Sequence, residues 1–109
     1  MSRAKGDVAE SRAVSFLEDL GYLVVDRNFY SRFGEIDIIT KKDDVLHFVE
    51  VKSGEEYEDA IANITPSKLQ KIIKTAHVYM KKNSLNIDFV LDAVIVTPLE
   101  ITLIENITL

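Results

Sequence analysis

Two short strings, Gly34-Glu35-Ile36-Asp37-Ile38-Ile39 and Phe48-Val49-Glu50-Val51-Lys52, decide how this chain is read. Each sets acidic groups inside an apolar, β-branched run of the kind that forms a buried strand. A buried carboxylate is costly unless it is paired or holds a metal. Here two successive strands both carry that cost, and the second adds a lysine two residues after its glutamate. An acid on one strand facing Glu-x-Lys on the next makes a metal site with an ammonium beside it. That chemistry points to phosphodiester hydrolysis.

Alternate residues of a strand share a face. Glu35, Asp37 and Ile39 therefore point one way, with Ile36 and Ile38 opposite; Leu46, Phe48, Glu50 and Lys52 share a face of the next strand. Lys41-Lys42-Asp43-Asp44 between them is a polar turn. A four-residue loop there sets Asp37 opposite Phe48 and Glu35 opposite Glu50, so that Asp37 is the diagonal neighbour of Glu50 at roughly 7–8 Å. A one-residue slip would separate the acids onto opposite faces.

Outward from this hairpin, the pattern describes one domain over residues 1–109. Asp7 to Leu20 has helical period, with Ala9, Ala13, Phe16, Leu17 and Leu20 in one stripe, and Gly21 closes it. Tyr22-Leu23-Val24-Val25 is a first strand, and Arg27 to Phe33 a polar and aromatic connection. Ser53 to Ile64 is a long, mobile connection carrying Glu55-Glu56-Tyr57-Glu58-Asp59. Thr65 and Pro66 start a helix that runs to about Lys82, with Thr65 as N-cap. Asp88 to Val96 is a buried strand and Glu100 to Glu105 an edge strand. The order α-β-β-β-α-β-β predicts an α/β fold, a mixed central sheet flanked by helices.

The chain has no cysteine, which excludes disulfides and thiolate metal sites, and no run long enough to span a membrane. Its N-terminus lacks the apolar stretch of a secretory signal, so a cytoplasmic protein is expected. The net charge of −5 argues against a nucleic-acid partner until its distribution is considered. From Ala60 to Ile87 there is no acid, only Lys68, Lys71, Lys74, Lys81 and Lys82, which gather on one side of the second helix. Lys68, Lys71 and Lys74 are candidate phosphate contacts; a solvated helix face is the alternative. Tyr30 and Phe33, near Arg27 and Arg32, either stack on bases or pack the core. His47 and His77 fall outside the acidic pattern and read as structural.

Several of these residues occur in an ordered set: Glu10 to Leu17, Gly21-Tyr22, Arg27-Asn28, Gly34 to Asp37, Phe48 to Lys52, and Lys68. In that set the chain resembles the PD-(D/E)-x-K nuclease superfamily, with its restriction-endonuclease-like fold, and within it the YraN family. Archaeal Holliday-junction resolvases are more distantly similar. Ala9 departs from the family pattern, which usually has glycine there. The resemblance implies a divalent metal, Mg²⁺ or Mn²⁺, held by Asp37, Glu50 and the Val51 carbonyl. It implies that Lys52 orients the attacking water or stabilises developing charge, and that Glu10 joins as a further acid. Asp7-Val8-Ala9-Glu10 also fits a capping box, which would make Glu10 a helix cap. Glu35 could share the metal or pair with an arginine.

Two functions stand at this level. One is a metal-dependent, structure-directed nuclease acting on DNA; the other is a binding module of the same fold with little or no turnover. A homodimer is compatible with either. An interaction domain that docks through Glu55–Asp59 is a third, weaker reading.

Overall fold

The computed structural model describes residues 3–107. Eight elements follow in order: α1 (Arg3–Asp19), β1 (Leu23–Ser31), β2 (Gly34–Lys42), β3 (Val45–Ser53), α2 (Tyr57–Ile61), α3 (Pro66–Lys82), β4 (Asp88–Val96) and β5 (Ile101–Ile104). The strands form one sheet in sequence order, antiparallel except for the parallel β3–β4 pair. The fold is the α/β arrangement expected, a mixed sheet between helices. Among the described residues, no helix is long and apolar enough to cross a membrane.

Strict alternation along β4 shows how the layers are built. Leu91, Ala93 and Ile95 face α3 and α2, while Val94 and Val96 face α1. On the α1 side, Ala9, Ala13 and Leu17 pack on Tyr22, Ile38 and Val49; on the other, Ile72, Ala76 and Tyr79 pack on Ile36, Ile39 and Phe48. Phe48 is fully buried, worth about 1.5–3 kcal/mol. Helix α3 opens as its sequence predicts: Pro66 takes the first position and the Lys68 N–H donates to Thr65 Oγ1 at 3.3 Å.

Four expectations need correction. The β2–β3 connection is a two-residue turn, not a four-residue loop. Asp43 and Asp44 both adopt left-handed φ, 52° and 62°, the conformation of a type I′ turn, whose twist suits a hairpin. Lys42 therefore pairs with Val45 and Ile38 with Val49, two residues away from the expected register. A shift of two preserves the faces. Second, the Arg27–Phe33 connection is strand: β1 continues to Ser31 as a polar edge, with a bulge between Val24 and Asp26. Third, the connection after Ser53 contains helix α2, anchored by the fully buried Ala60. Fourth, α1 begins at Arg3, which leaves Glu10 about two turns inside the helix and removes its capping role.

Candidate functional site

Strand β2 leaves β3 just where the acidic residue comes. The ladder runs to Ile38↔Val49, and one further step would set Asp37 directly opposite Glu50. Instead the strands part. Ile38 belongs to the α1-side core and Ile36 to the α3-side core, so the simple alternation expected of β2 is interrupted at Asp37. The Asp37 carboxylate reaches across the gap, where Oδ2 accepts the Val51 N–H at 2.8 Å. A strand residue presents its N–H and C=O to the same side, so the Val51 carbonyl faces this gap too.

Glu50 meets Asp37 there, side chain to side chain, within hydrogen-bonding reach. Its other neighbour is Lys52, with Nζ 3.5 Å from Glu50 Oε1, an i, i+2 pair on one strand face. Burial pushes the Asp37 carboxyl up, the adjoining Glu50 adds to this, and together they bring it to about 8. The Val51 N–H pulls the other way but does not offset them. Two carboxyls this close cannot both stay ionised without a proton or a cation between them.

Glu10 approaches from α1 and is only 13% exposed. Burial and the Asp37 charge raise its pKa, and Arg27 opposes that rise with Nη2 3.4 Å from Glu10 Oε1. Arg27 is the residue that sequence reasoning missed. It stood in the Arg27-Asn28 pair without an assigned role, because its strand had been read as a connection. Glu35 is exposed and adds only slightly to the field at Asp37. Lys68, Lys71 and Lys74 are exposed along α3, outside the carboxylate cluster. A 140 Å³ cavity lined by Ala9, Arg12, Ser53, Gly54, Val96 and Thr97, among others, adjoins the end of β3 just past Lys52.

The donor set can be tested against a cation from its chemistry. Among the described residues, no three histidine or acidic side chains converge. What converges is two carboxylates and a backbone carbonyl, one carboxylate holding its proton unusually tightly because it is buried and lies against the other. Mg²⁺ is commonly bound by one or two carboxylates, keeping several waters. The residues present fit such an ion.

The opposite end of the sheet holds a different polar cluster. Asp92, fully buried on the α1 side, takes His47 Nδ1 at 2.6 Å and the Asn106 N–H at 2.8 Å. Tyr22 stacks edge-on against the His47 ring. His47 has the structural role expected of it; Asp92 was not singled out, since it lies within an apolar strand.

A family model described as "Uncharacterised protein family UPF0102" matches residues 9–96. A UPF0102 protein of Sulfurimonas denitrificans is 64% identical over 109 residues, covering 100% of each chain. The UPF0102 protein of Wolinella succinogenes is 57% identical, also over 100% of each. One from Helicobacter pylori strain HPAG1 is 56% identical over 106 residues, 97% of this chain and 92% of the relative.

Proposed function

The chain belongs to the UPF0102 family, the YraN family that its motifs resemble, and from that premise we propose that it is a divalent-metal-dependent nuclease acting on DNA. One observation carries the reading: the buried Asp37–Glu50 carboxyl pair, with the Lys52 ammonium beside it.

In this reading Asp37, Glu50 and the Val51 carbonyl hold Mg²⁺ or Mn²⁺. Such an ion polarises a phosphodiester oxygen and acidifies water. The chain's own residues do the rest. Lys52 holds an ammonium beside Glu50, where it can stabilise the negative charge that grows on the phosphoryl oxygens. Asp37, through the Val51 N–H, fixes the separation of β2 and β3 that admits the reacting group. Glu10 adds a carboxylate whose charge Arg27 moderates, so the cluster is not overloaded with acid. The exposed lysines of α3 attract the phosphate backbone in a net anionic protein.

The test is calorimetric titration of Mn²⁺ and Mg²⁺ into the wild type and Asp37→Asn, beside cleavage of linear, flapped and four-way DNA. The expected result is binding and cleavage in the wild type, with both lost in the variant. Equal metal affinity in the two proteins would remove Asp37 as a ligand. Metal binding with no cleavage of any DNA would favour the binding module.

A further inference from the structure

The turn between β1 and β2 is fastened to the lysine-bearing helix. Thr75, fully buried, donates its hydroxyl to the Lys71 carbonyl at 2.9 Å. With that proton committed, the 2.8 Å contact between Ser31 Oγ and Thr75 Oγ1 has Ser31 as donor. Ser31 Oγ in turn accepts the Phe33 N–H at 3.0 Å. Gly34, at φ +155°, takes a backbone conformation that side chains disfavour, and it lies against α3 at ordinary contact distance from Lys71. The consequence is a turn whose backbone is pinned to α3 and which carries a half-buried Phe33 ring.

Cations surround this ring. The Arg32 guanidinium lies 4.8 Å from its centroid and Lys74 Nζ 5.5 Å. Among the described residues, neither Arg32, Lys68, Lys71 nor Lys74 is in an ion pair. Like charges gathered on one ring, in a protein with a net charge of −5, repel one another unless an anion comes between them. The basic side chains and the aromatic ring together make the combination that binds unpaired nucleotides, phosphates on the cations and a base on the ring. Phe33 lies four residues before Asp37 on the same chain. At about 3.3 Å per strand residue that is at most roughly 13 Å, within about four steps of one DNA strand.

Resting on the nuclease reading above, we propose that Phe33 is a stacking platform for one unpaired base, so that the protein prefers DNA with an extrahelical or displaced nucleotide near the phosphodiester to be cut. Arg32 and Lys74 hold the phosphates that flank this base. The platform is a positioning element and touches no reacting atom.

The experiment compares a DNA duplex carrying one extrahelical 2-aminopurine with the fully paired duplex, in Ca²⁺ to prevent cleavage, across a salt series. The wild type should bind the bulged duplex about tenfold more tightly, the range of one base–aromatic stack, with a saturable change in 2-aminopurine fluorescence. Phe33→Leu, which keeps an apolar side chain, should lose both the preference and the fluorescence change. Phe33→Tyr should keep them. Removing Lys68, Lys71 and Lys74 together should flatten the slope of log affinity against log salt by roughly 0.7–0.9 per lost contact on both duplexes. A Phe33→Leu protein with undiminished preference overturns the platform while leaving the nuclease reading intact. If neither duplex binds at low salt, or the triple variant leaves the slope unchanged, the nucleic-acid reading itself falls and the platform with it.

Discussion

Asp37 and Asp92 are two strand aspartates taken out of water in the same small sheet, and they have been treated in opposite ways. Asp92 is held by two partners, the His47 ring nitrogen and the Asn106 N–H, and the Tyr22 ring packs edge-on against His47 behind them. Asp37 receives a single backbone N–H and is pressed against a second carboxyl. A carboxylate supplied with all its donors is a strut. One pressed against a second carboxyl, at the point where two strands separate, is the one to which the proposed function assigns a cation. The contrast between them, more than the burial of either, is what singles out Asp37 for the role proposed above.

The largest effect that could break this contrast is at Asp92. Asp92→Ala strands His47 and the Asn106 N–H, and removing one partner of a buried pair costs about 3–5 kcal/mol. Urea denaturation should show a loss of that order, with Asp92→Asn losing less. A cost under roughly 1 kcal/mol would make the two aspartates alike.

Next in size is Lys52, the cation on the open side of the comparison. If the nuclease reading holds, Lys52→Ala should lower turnover by roughly 10²–10³-fold, as removal of one transition-state charge stabiliser does, while DNA affinity changes little. Lys52→Arg keeps the charge but not its shape and should recover only part of the rate. Cleavage at the wild-type rate by Lys52→Ala would reduce this lysine to an ion-pair partner of Glu50.

The smallest effect concerns Asp37 itself and its pH dependence. Its carboxyl titrates near 8 when folded, against an ordinary value of 3.8, so the folded state binds the proton more tightly than the unfolded chain. The resulting stability is complete below about pH 4 and is lost progressively up to pH 8. Asp37→Asn has no such proton to lose. Its stability should overtake that of the metal-free wild type as pH rises, by roughly 1–3 kcal/mol at pH 8. Saturating Mg²⁺ should close the gap by stabilising the wild type alone. Parallel pH profiles for the two proteins would mean that Asp37 finds its compensation within the protein after all.

What could be read from the sequence follows from the same contrast. The Glu50–Lys52 pair needs only two-residue periodicity, and the caps and stripe of α3 are local, so both were legible. The meeting of Asp37 and Glu50 was foreseen as a diagonal neighbourhood on one face, and the structure reaches it differently, by parting the strands and sending Asp37 into the gap. Four polar residues in a row at Lys41–Asp44 do not reveal which two turn, since aspartate tolerates left-handed φ almost as asparagine does. β1 was cut short because an edge strand can be polar on both faces, which erases the alternation that identifies strands. Asp92 was hidden for the opposite reason. Set among Leu91, Ala93 and Val94, it looks like an intrusion in a core strand, and its partners His47 and Asn106 are distant in sequence.

The tight Asp43-Asp44 turn also bears on the order in which the molecule assembles. Asp37, Glu50 and Lys52 lie within sixteen consecutive residues and are joined by a single hairpin. Hairpins close in about 1–10 μs from local contacts, whereas the parallel β3–β4 pair must first close a loop containing α2 and α3 and forms more slowly. The acidic residues therefore come together early, before the sheet is complete and while their charges are still hydrated. Desolvation is imposed later, when the helices and the remaining strands pack around the hairpin. The electrostatic penalty at Asp37 thus falls on the late steps of folding, and a cation captured by the hairpin would speed the packing that takes it out of water.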